Sequence, residues 1–252
     1  MLRVRVIPVL LLKNKGLVKT VSFKNPTYIG DPINAVRIFN EKEVDELMLL
    51  DITASVENRE PNYAWIKDIS SESFMPIGYG GGIQTLDQIK KLFNLGVEKV
   101  VLNSASTNLE LIRSAAAIFG SQSIVVSIDV KKSFWGKYEG FTHSGSKKLP
   151  IPPLEHAINC VNAGAGEIYL QSIDKEGHMK GYDLDITRQF SNALTVPVVA
   201  SGGAADLASM KEVISFAGAS AVSAGSIFVY KGKHKAVLIN YPSQEVLKEY
   251  LP

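Results

Sequence analysis

Carboxylate side chains stand at the ends of several apolar segments of the sequence. Asp51, Asp129 and Asp174 each end such a segment, and Glu176 follows two residues after the last of them. A carboxylate beside apolar residues is costly to desolvate unless it has a partner or a task, and general acid–base catalysis suits a partly buried carboxyl group. The structural alternatives are a helix N-cap, a lysine partner and, for Asp51, a turn. Both interpretations stay open at the level of sequence.

Two glycine pairs, Gly81-Gly82 and Gly202-Gly203, also follow apolar segments. Glycine permits a tight turn in which backbone N–H groups approach an anion closely. After the next apolar segment come Asn103-Ser104 in one case and Gly225-Ser226 in the other, each before a short helical stretch whose N–H groups would complete the site. One glycine pair alone is most simply a turn. Two copies with similar companions predict two phosphate sites on one face, and hence a bisphosphate or two phosphorylated ligands.

Four charged residues open otherwise apolar segments: Arg5, Glu46, Lys99 and Glu167. If their side chains point inward together, they form a ring of two positive and two negative charges. Buried charges persist only when they are paired, so the simpler interpretation is a closed salt-bridge plug. The alternative is a gate for a small molecule, and the residues alone favour the plug.

Eight short apolar runs, which alternate with amphipathic segments, must position these residues. The predicted strands are 4–12, 46–52, 76–80, 99–102, 124–130, 167–173, 197–201 and 221–224. The predicted helices include 85–94, 108–119, 153–163, 185–193 and 206–216. Runs that are apolar throughout indicate parallel strands covered on both faces. This pattern predicts an α/β protein with a (β/α)₈ barrel, and the strand count leaves a doubly wound open sheet as the alternative.

An internal repeat favours the barrel over the open sheet. The segment 75–82 (MPIGYGGG) recurs as 196–203 (VPVVASGG), and the same offset joins Glu46 to Glu167. A repeat of half the chain predicts two equivalent halves of four strands that close into one barrel. We therefore expect a single domain over residues 1–252, with half-barrels at about 1–120 and 121–252.

Composition narrows the class of protein without naming a function. The 252 residues are 46% hydrophobic and 21% charged, a composition that excludes a disordered or disulfide-scaffold chain. The formal net charge is +2, which lacks the excess of positive charge typical of nucleic-acid-binding proteins. No apolar run reaches the roughly 18 residues of a membrane span, and the strand-like start with two arginines is not a signal peptide. The single cysteine, Cys160, fits a reducing cytoplasm. The four histidines lack metal-ligand spacing, so we expect neither a metal nor a cofactor.

Five short motifs together resemble the cyclase (HisF-type) subunit of imidazole glycerol phosphate synthase. They are 50–55 (LDITAS), 80–83 (GGGI), 119–122 (FGSQ), 164–168 (GAGEI) and 200–204 (ASGGA). The resemblance runs from residue 1 to about residue 228 and implies a (β/α)₈ barrel with two phosphate sites. It also implies a HisH-like glutaminase docked on the N-terminal face of the barrel, whose ammonia passes through the charged ring and the barrel interior.

The resemblance assigns roles to further residues. All four ring positions match the family's gate residues, so the resemblance favours the gate over the plug. Glu98 falls where the family places an acidic residue that faces the glutaminase. Lys19, in the long first loop, matches a catalytic position, and Gly177 joins the phosphate-binding set.

The catalytic positions do not all match the family. The cyclase uses two aspartates as its acid–base pair, and the second is present here as Asp129. The first is replaced by Leu11, and the internal repeat makes the same point, because 11–13 (LLK) is the counterpart of 129–131 (DVK). Leucine cannot transfer a proton, and such a loss commonly costs ~10²- to 10⁴-fold in rate. Glu176 replaces the family's supporting aspartate, and the segment 231–242 departs from the usual run into a last helix and is expected to form an extra strand.

These departures resemble cyclase-like proteins associated with glycosyl amidation in surface-polysaccharide synthesis. The hypothesis is a barrel that delivers ammonia from a glutaminase to a separate sugar amidotransferase, keeps a phosphorylated ligand site and has impaired cyclase chemistry. One alternative is an active cyclase of histidine biosynthesis. Another is a non-catalytic scaffold that activates the glutaminase when a phosphorylated ligand fills the two phosphate sites. We call these sites the first clamp (Gly81, Gly82, Asn103 and Ser104) and the second clamp (Gly202, Gly203, Gly225 and Ser226). The related isomerase barrel of the same pathway is a weaker alternative, because it needs no charged ring.

Three other features have simpler interpretations. Cys160 is expected to be a buried small hydrophobe within a helix. His178 lies in the loop after the sixth barrel strand, where a substrate contact is the less favoured interpretation. Trp135 and Tyr138 flank Gly136 in a predicted hairpin, and we expect them to pack rather than to cover the site.

Overall fold

The computed structural model describes residues 4–232 and 234–251, in which strands alternate with helices along the chain. The strands are β1 (Arg5–Lys13), β2 (Gly16–Val21), β3 (Lys24–Gly30), β4 (Leu47–Asp51), β5 (Ile77–Gly80), β6 (Lys99–Leu102), β7 (Ile124–Lys132), β8 (Tyr138–Thr142), β9 (Lys147–Lys148), β10 (Glu167–Ser172), β11 (Val198–Ser201), β12 (Ala221–Ala224), β13 (Tyr230–Lys231) and β14 (Ala236–Val237). The helices are α1 (Pro32–Glu41), α2 (Tyr63–Ser71), α3 (Leu86–Asn94), α4 (Leu109–Phe119), α5 (Pro153–Asn162), α6 (Leu184–Ala193), α7 (Leu207–Ala217), α8 (Ser226–Val229) and α9 (Gln244–Tyr250). Two 3₁₀ turns lie at Ser104–Thr107 and Ser121–Ser123.

Eight parallel strands pair edge to edge in a closed circle. The order is β1, β4, β5, β6, β7, β10, β11 and β12, and β12 pairs with β1 to complete the barrel. The pairing of β6 with β7, through Val100 and Ile124, joins the two halves on one side. Closure rules out the open sheet and confirms the predicted (β/α)₈ barrel, because an open sheet would leave two strand edges unpaired.

The helices that follow the two glycine pairs begin in the same way in both halves. Thr85 accepts a hydrogen bond from the N–H of Gln88, and the Gln88 side chain accepts one from the Thr85 N–H. Asp206 and Ser209 form the equivalent reciprocal pair at the start of α7. Such a capping box satisfies N–H groups that a helix cannot bond internally. It therefore sets where each glycine turn ends and its helix begins.

Apolar side chains form two layers of core. The larger layer lies between the strands and the surrounding helices, and a smaller cluster fills the inside of the barrel. The inner cluster consists of Ile7, Val9, Met48, Val101, Val125, Tyr169, Val199 and Ala221. Strand β5 gives this interior two glycines: a Cβ at Gly78 would lie 2.7 Å from the Met48 sulfur, and one at Gly80 2.9 Å from Leu50 Cδ2. The glycines thus make room for the large side chains of β4.

Three hairpins extend beyond the C-terminal ends of the barrel strands. Strands β2 and β3 form the first, in which β2 pairs with β1 and β3 pairs with β2. Strand β8 continues from β7 as the second, and β13 and β14 form the third. The predicted hairpin around Gly136 is therefore present, and Tyr138 packs with its hydroxyl donating to Asp183 over 2.7 Å. The expectation for Trp135 is wrong: this side chain is 88% exposed, beside an equally open Phe134. Both rings lie in the turn between β7 and β8 and contact each other edge to face, with their centroids 5.4 Å apart.

The C-terminal segment differs in part from its expected form. One extra strand was expected over residues 231–242, and the structure has two short antiparallel strands, β13 and β14, instead. A last helix, α9, follows them, so the segment does not replace a terminal helix. Lys233 lies outside the described residues. No helix among those described is long and apolar enough to cross a membrane.

Candidate functional site

One cavity opens at the C-terminal ends of the barrel strands and gathers the predicted catalytic and phosphate-binding residues. Its wall includes Leu11, Lys19, Asp51, Gly81, Gly82, Asn103, Ser104, Asp129, Glu176, Gly177, Gly202, Gly203, Gly225 and Ser226. These residues come from both halves of the chain. The barrel closure brings them together because every parallel strand ends on this face.

Asp129 lies deep in this cavity, on β7, with only 6% of its surface exposed. The hydroxyl of Ser127 donates to its Oδ1 over 3.2 Å. Burial raises the pKa of Asp129 to about 7, although the Ser127 hydrogen bond acts in the opposite direction. A carboxyl group that titrates near neutrality can both take and give a proton under physiological conditions.

Leu11 occupies the matching place on β1 and gives the cavity an apolar wall. It pairs in register with Leu50 of β4 and with Val18 of the first hairpin, and its side chain packs beside the inner cluster. Neither Leu11 nor Leu50 can exchange a proton. Of the two equivalent strand positions, only that of Asp129 carries a group that can transfer a proton.

The carboxylate of Asp51 is used within its own loop. Its Oδ1 accepts hydrogen bonds from the N–H groups of Thr53 and Ala54, both over 3.0 Å. The guanidinium of Arg59 lies 3.3 Å from its Oδ2. These partners make Asp51 the organiser of a turn, which favours the structural alternative over a role in proton transfer.

Lys19 and Glu176 tie the first hairpin to the barrel. The Lys19 ammonium is buried and donates to the Val9 carbonyl over 3.0 Å, and burial lowers its pKa to about 8 while Glu176 opposes this shift. Glu176 accepts from the Thr20 hydroxyl over 3.0 Å and from the Phe23 N–H over 3.1 Å. Burial raises the pKa of Glu176, and these donors together with Lys19 counter the rise. Glu176 thus holds the hairpin beside the cavity.

The two glycine pairs make equivalent turns. Gly81 has φ +129° and Gly202 has φ +89°. A Cβ at Gly81 would lie 2.6 Å from the Asp51 carbonyl oxygen, and one at Gly202 would lie 2.5 Å from that of Ser172. Gly82 and Gly203 also have positive φ angles, +72° and +103°. Both backbone conformation and space require glycine at these turns.

The companions of the two glycine pairs differ in chemistry. In the first clamp, Ser104 donates to the Ser55 hydroxyl over 2.8 Å, and the Gly82 N–H donates to the same hydroxyl over 3.4 Å. In the second clamp, a Cβ at Gly225 would overlap the Lys19 ammonium. One clamp is therefore lined by hydroxyl groups, and the other carries a buried positive charge.

A buried polar cluster that sequence reasoning missed lies behind the first clamp. Ser106 donates to the Asn103 carbonyl over 2.6 Å and lies 2.8 Å from Nε2 of His156. Burial lowers the pKa of His156, so this imidazole is neutral near pH 7. Cys160 lies beside it, buried as expected. Because Ser106 and His156 are 50 residues apart, no local sequence pattern signals their contact.

The four charged residues form a closed ring at the N-terminal mouth of the barrel. Arg5 pairs with Glu46 over 2.5 Å and also with Glu167. Lys99 pairs with the same two carboxylates, over 2.9 and 3.0 Å. Both glutamates are buried, and Oε1 of Glu46 has no hydrogen-bond partner among the described residues. The charge signs alternate around the ring, as each pairing requires.

Tyr169 lies between this ring and the cavity. It is two residues beyond Glu167 on β10, and its hydroxyl is 2.8 Å from the hydroxyls of both Ser201 and Ser223. Burial raises the pKa of Tyr169 to about 12, so the phenol stays neutral. One wall of the barrel interior thus carries hydroxyl groups, while Val9, Met48 and Val101 make the rest of it apolar.

Two further predicted residues lie outside the cavity wall. Glu98 is exposed beside Lys99 at the N-terminal face. His178 is exposed too, and its Nε2 lies 3.1 Å from the Ser22 hydroxyl of the first hairpin. The described residues include no group of three or more His, Cys, Asp and Glu side chains that could hold a metal ion.

Comparison with known proteins gives matches along nearly the whole chain. A family model described as "Histidine biosynthesis protein" matches residues 5–235. Three similar relatives carry names that assign them provisionally to the HisF subunit of imidazole glycerol phosphate synthase. They are hisF2 of Pseudomonas aeruginosa, 55% identical over 96% of this chain and 97% of the relative, a HisF of Leptospira interrogans, 51% identical over 97% of each, and hisF3 of Vibrio vulnificus, 51% identical over 100% of this chain and 97% of the relative.

Proposed function

The chain belongs to the histidine biosynthesis protein family as a HisF-like barrel, and from this membership we propose that it is the ammonia-conducting subunit of a glutamine-dependent amidotransferase complex. HisF-type subunits pair with a glutaminase, and here the N-terminal face with its charged ring and Glu98 is the docking side. Ammonia released by the glutaminase enters through the ring and leaves at the cavity.

The ring and the barrel interior support this route. Lys99 is the smaller of the two ring cations, and because its single ammonium makes both contacts with the glutamates, movement of this one side chain opens the ring on that side. The unpartnered Oε1 of Glu46 leaves an acceptor for an N–H group of ammonia. Beyond the ring, the hydroxyls of Tyr169, Ser201 and Ser223 offer hydrogen bonds to a small polar molecule inside an otherwise apolar barrel.

Leu11 is the single observation that carries the rest of the proposal. Cyclisation needs an acid–base pair across the cavity, and Leu11 gives one side of it a side chain that cannot transfer protons. A cavity that keeps both pairs of glycine turns but has a carboxyl group at only one of the two equivalent strand positions, Asp129 and not Leu11, fits an ammonia-delivering subunit that has lost the cyclase step. We propose that a separate sugar amidotransferase of polysaccharide synthesis uses the ammonia, and that the complex works in the cytoplasm. A phosphorylated ligand occupies the clamps of the barrel.

The alternative function is an active cyclase of histidine biosynthesis. Asp129 favours it, because its pKa of about 7 suits a residue that both accepts and donates a proton. Both clamps also keep the glycine turns that two phosphate groups would need.

A cyclase assay separates the two functions. The purified chain, supplied with the ribulosyl phosphate substrate and ammonium, should form no detectable imidazole glycerol phosphate. Leu11→Asp should create measurable turnover, whereas Leu50→Asp, on the neighbouring strand of the same cavity, should not. Turnover by the unaltered chain at a rate comparable to that of an active cyclase would establish the alternative.

Ammonia conduction is tested in the complex with a glutaminase and a sugar amidotransferase. Lys99→Ala and Lys99→Met should leave glutamine hydrolysis intact but lower the amidated sugar formed per glutamate released. Lys211→Ala, an exposed lysine on α7, is the matched control. Unchanged coupling in both Lys99 variants would count against the ring as a gate, and loss of glutamine hydrolysis itself would favour an activating scaffold.

A further inference from the structure

A second cavity, which we call the outer cavity, has a volume of about 300 Å³. It lies outside the barrel, between the first hairpin and the hairpin of β13 and β14. Asn25 and Thr27 of β3 line one side of it. Tyr230 and Lys235 line the other, in the C-terminal segment that departs from the pattern of cyclase subunits. The two hairpins therefore create a space that the barrel alone would not have.

The outer cavity shares part of its wall with the main cavity, the one at the C-terminal ends of the barrel strands. Lys19, Thr20, Gly177 and Ser226 line both. Ser226 belongs to the second phosphate clamp, and the Lys19 ammonium packs against Gly225 of the same clamp. The two cavities therefore adjoin at the second clamp, which belongs to the part of the wall that they share.

The charges of the outer cavity favour an anion. Its lining includes two lysines, Lys19 and Lys235, and no carboxylate among the described residues. The nearby Glu176 is already bonded to Thr20 and Phe23. The Lys235 ammonium lies 5.9 Å from the centre of the Tyr230 ring, and both residues line the cavity. Asn25 and Thr27 add neutral hydrogen-bonding groups suited to hydroxyls.

We propose that the outer cavity binds the second phosphate of an organic diphosphate ester whose first phosphate lies in the second clamp. Lys19 contacts the first phosphate, Lys235 the second, and Asn25 and Thr27 face the group esterified to it. Sugar nucleotides belong to this chemical class. The proposal rests on the proposed function, because it uses the second clamp as a phosphate site and names the ligand that this clamp takes.

Calorimetric titration of the full chain tests this assignment. Uridine diphosphate glucose should bind at least tenfold more tightly than glycerol phosphate and should displace the glycerol phosphate held in the second clamp, because the two ligands share that clamp. Lys235→Ala should weaken binding of uridine diphosphate glucose by about tenfold, the effect of one charge-assisted hydrogen bond, and leave glycerol phosphate affinity unchanged. Lys235→Arg should retain the tighter binding, and Lys137→Ala, an exposed lysine of another hairpin, should change neither affinity.

Other outcomes overturn the proposal. Equal affinities for the two ligands, binding without competition, binding of neither ligand, or an equal loss of both affinities in Lys235→Ala would each do so. Inorganic pyrophosphate measures the contribution of the ester groups, because it lacks them. It should compete with glycerol phosphate, but bind more weakly than the sugar nucleotide. Equal affinities for pyrophosphate and the sugar nucleotide would show that Asn25 and Thr27 do not contact the ligand. Ammonia coupling by the Lys235→Ala complex is a separate measurement, so a failure of the proposed function is distinguishable from a failure here.

Discussion

Asp129 and Leu11 occupy equivalent positions on β7 and β1, and the difference between them defines the chemistry of the cavity. The carboxyl group of Asp129 is buried with a single hydroxyl partner, Ser127. A carboxylate in such surroundings loses most of its hydration and gains little in return, which is why its pKa rises. Leu11 avoids this cost and gives up the proton transfer. Of the two equivalent positions, one therefore holds a buried carboxyl group that is costly to ionise, and the other holds an apolar side chain.

The burial of Asp129 predicts how stability depends on pH. Its pKa is about 7 in the folded protein and near 3.8 in an unfolded chain, so between these values the folded state holds a proton that the unfolded state has lost. The free energy of unfolding should therefore fall as pH rises from about 4 to about 7. Asp129→Asn should be more stable than the parent by about 4 kcal/mol at pH 7.5, with little difference near pH 4.

Urea unfolding across this pH range measures the effect. Asp174→Asn is the control, because Asp174 is exposed and should give a curve parallel to that of the parent. A constant difference between Asp129→Asn and the parent at every pH would show that Asp129 does not titrate in this window.

Replacing Gly225 with alanine should weaken ligand binding without unfolding the protein. Its φ angle is in the ordinary negative range, −112°, so alanine is acceptable to the backbone. The added Cβ would overlap the Lys19 ammonium and force it away from the Val9 carbonyl and the second clamp. Gly225→Ala should therefore lower glycerol phosphate affinity by at least tenfold, since a charge-assisted contact is lost.

Calorimetry gives the affinity, and thermal unfolding checks the fold. Gly140→Ala is the matched control: its Cβ would lie 2.7 Å from a flexible Leu149 side chain away from the cavity, so it tests crowding alone. Equal affinities in Gly225→Ala and the parent would remove Lys19 from the phosphate site.

At the scale of elements, the first hairpin depends on the barrel for its position. Strand β3 is mostly exposed, and two hydrogen bonds to the Glu176 carboxylate hold the turn before it. The Ser22 N–H also donates to the Glu176 carbonyl over 3.0 Å. The Glu176 side chain is thus the main tether between the hairpin and the loop after β10.

Removing this tether should loosen the hairpin and leave the barrel folded. In Glu176→Ala, the amide of Phe23 should exchange hydrogen with solvent at least tenfold faster, because its acceptor is gone. Asp174→Ala is the matched control, since Asp174 accepts from the Lys132 N–H and tethers a different hairpin. Exchange mass spectrometry or NMR gives both rates, and unchanged protection at Phe23 in Glu176→Ala would contradict this role.

The position of the first hairpin could not be predicted from the sequence, in contrast to the strands of the barrel. The barrel strands could be predicted because each is a short apolar run, and the glycine turns because they repeat. Strand β3 contains Pro26 among mostly exposed residues, and its tether lies 153 residues from Phe23. The same reason hides the contacts of Ser104 and His156, which lie 49 and 50 residues from their partners. Local patterns predict elements, whereas these contacts exist only once the barrel has closed.

At the scale of the whole molecule, the two halves of the barrel contribute different numbers of residues to the charged ring. Arg5, Glu46 and Lys99 belong to the first half, and Glu167 belongs to the second. Both ion pairs of Glu167 therefore cross between the halves, whereas both pairs of Glu46 stay within one. The strand pairings β6 with β7 and β12 with β1 cross the same division.

This arrangement predicts how the molecule behaves when it is divided after residue 120. Each half alone leaves two parallel strands with unpaired edges, so neither should remain a folded monomer, and the two halves mixed should form a one-to-one complex. Glu167→Gln should weaken that complex by at least a hundredfold, because two buried ion pairs across the division are lost. Glu46→Gln should weaken it less, because its cations lie in the same fragment. Analytical ultracentrifugation measures both affinities, and equal losses would mean that strand pairing rather than the ring holds the halves together.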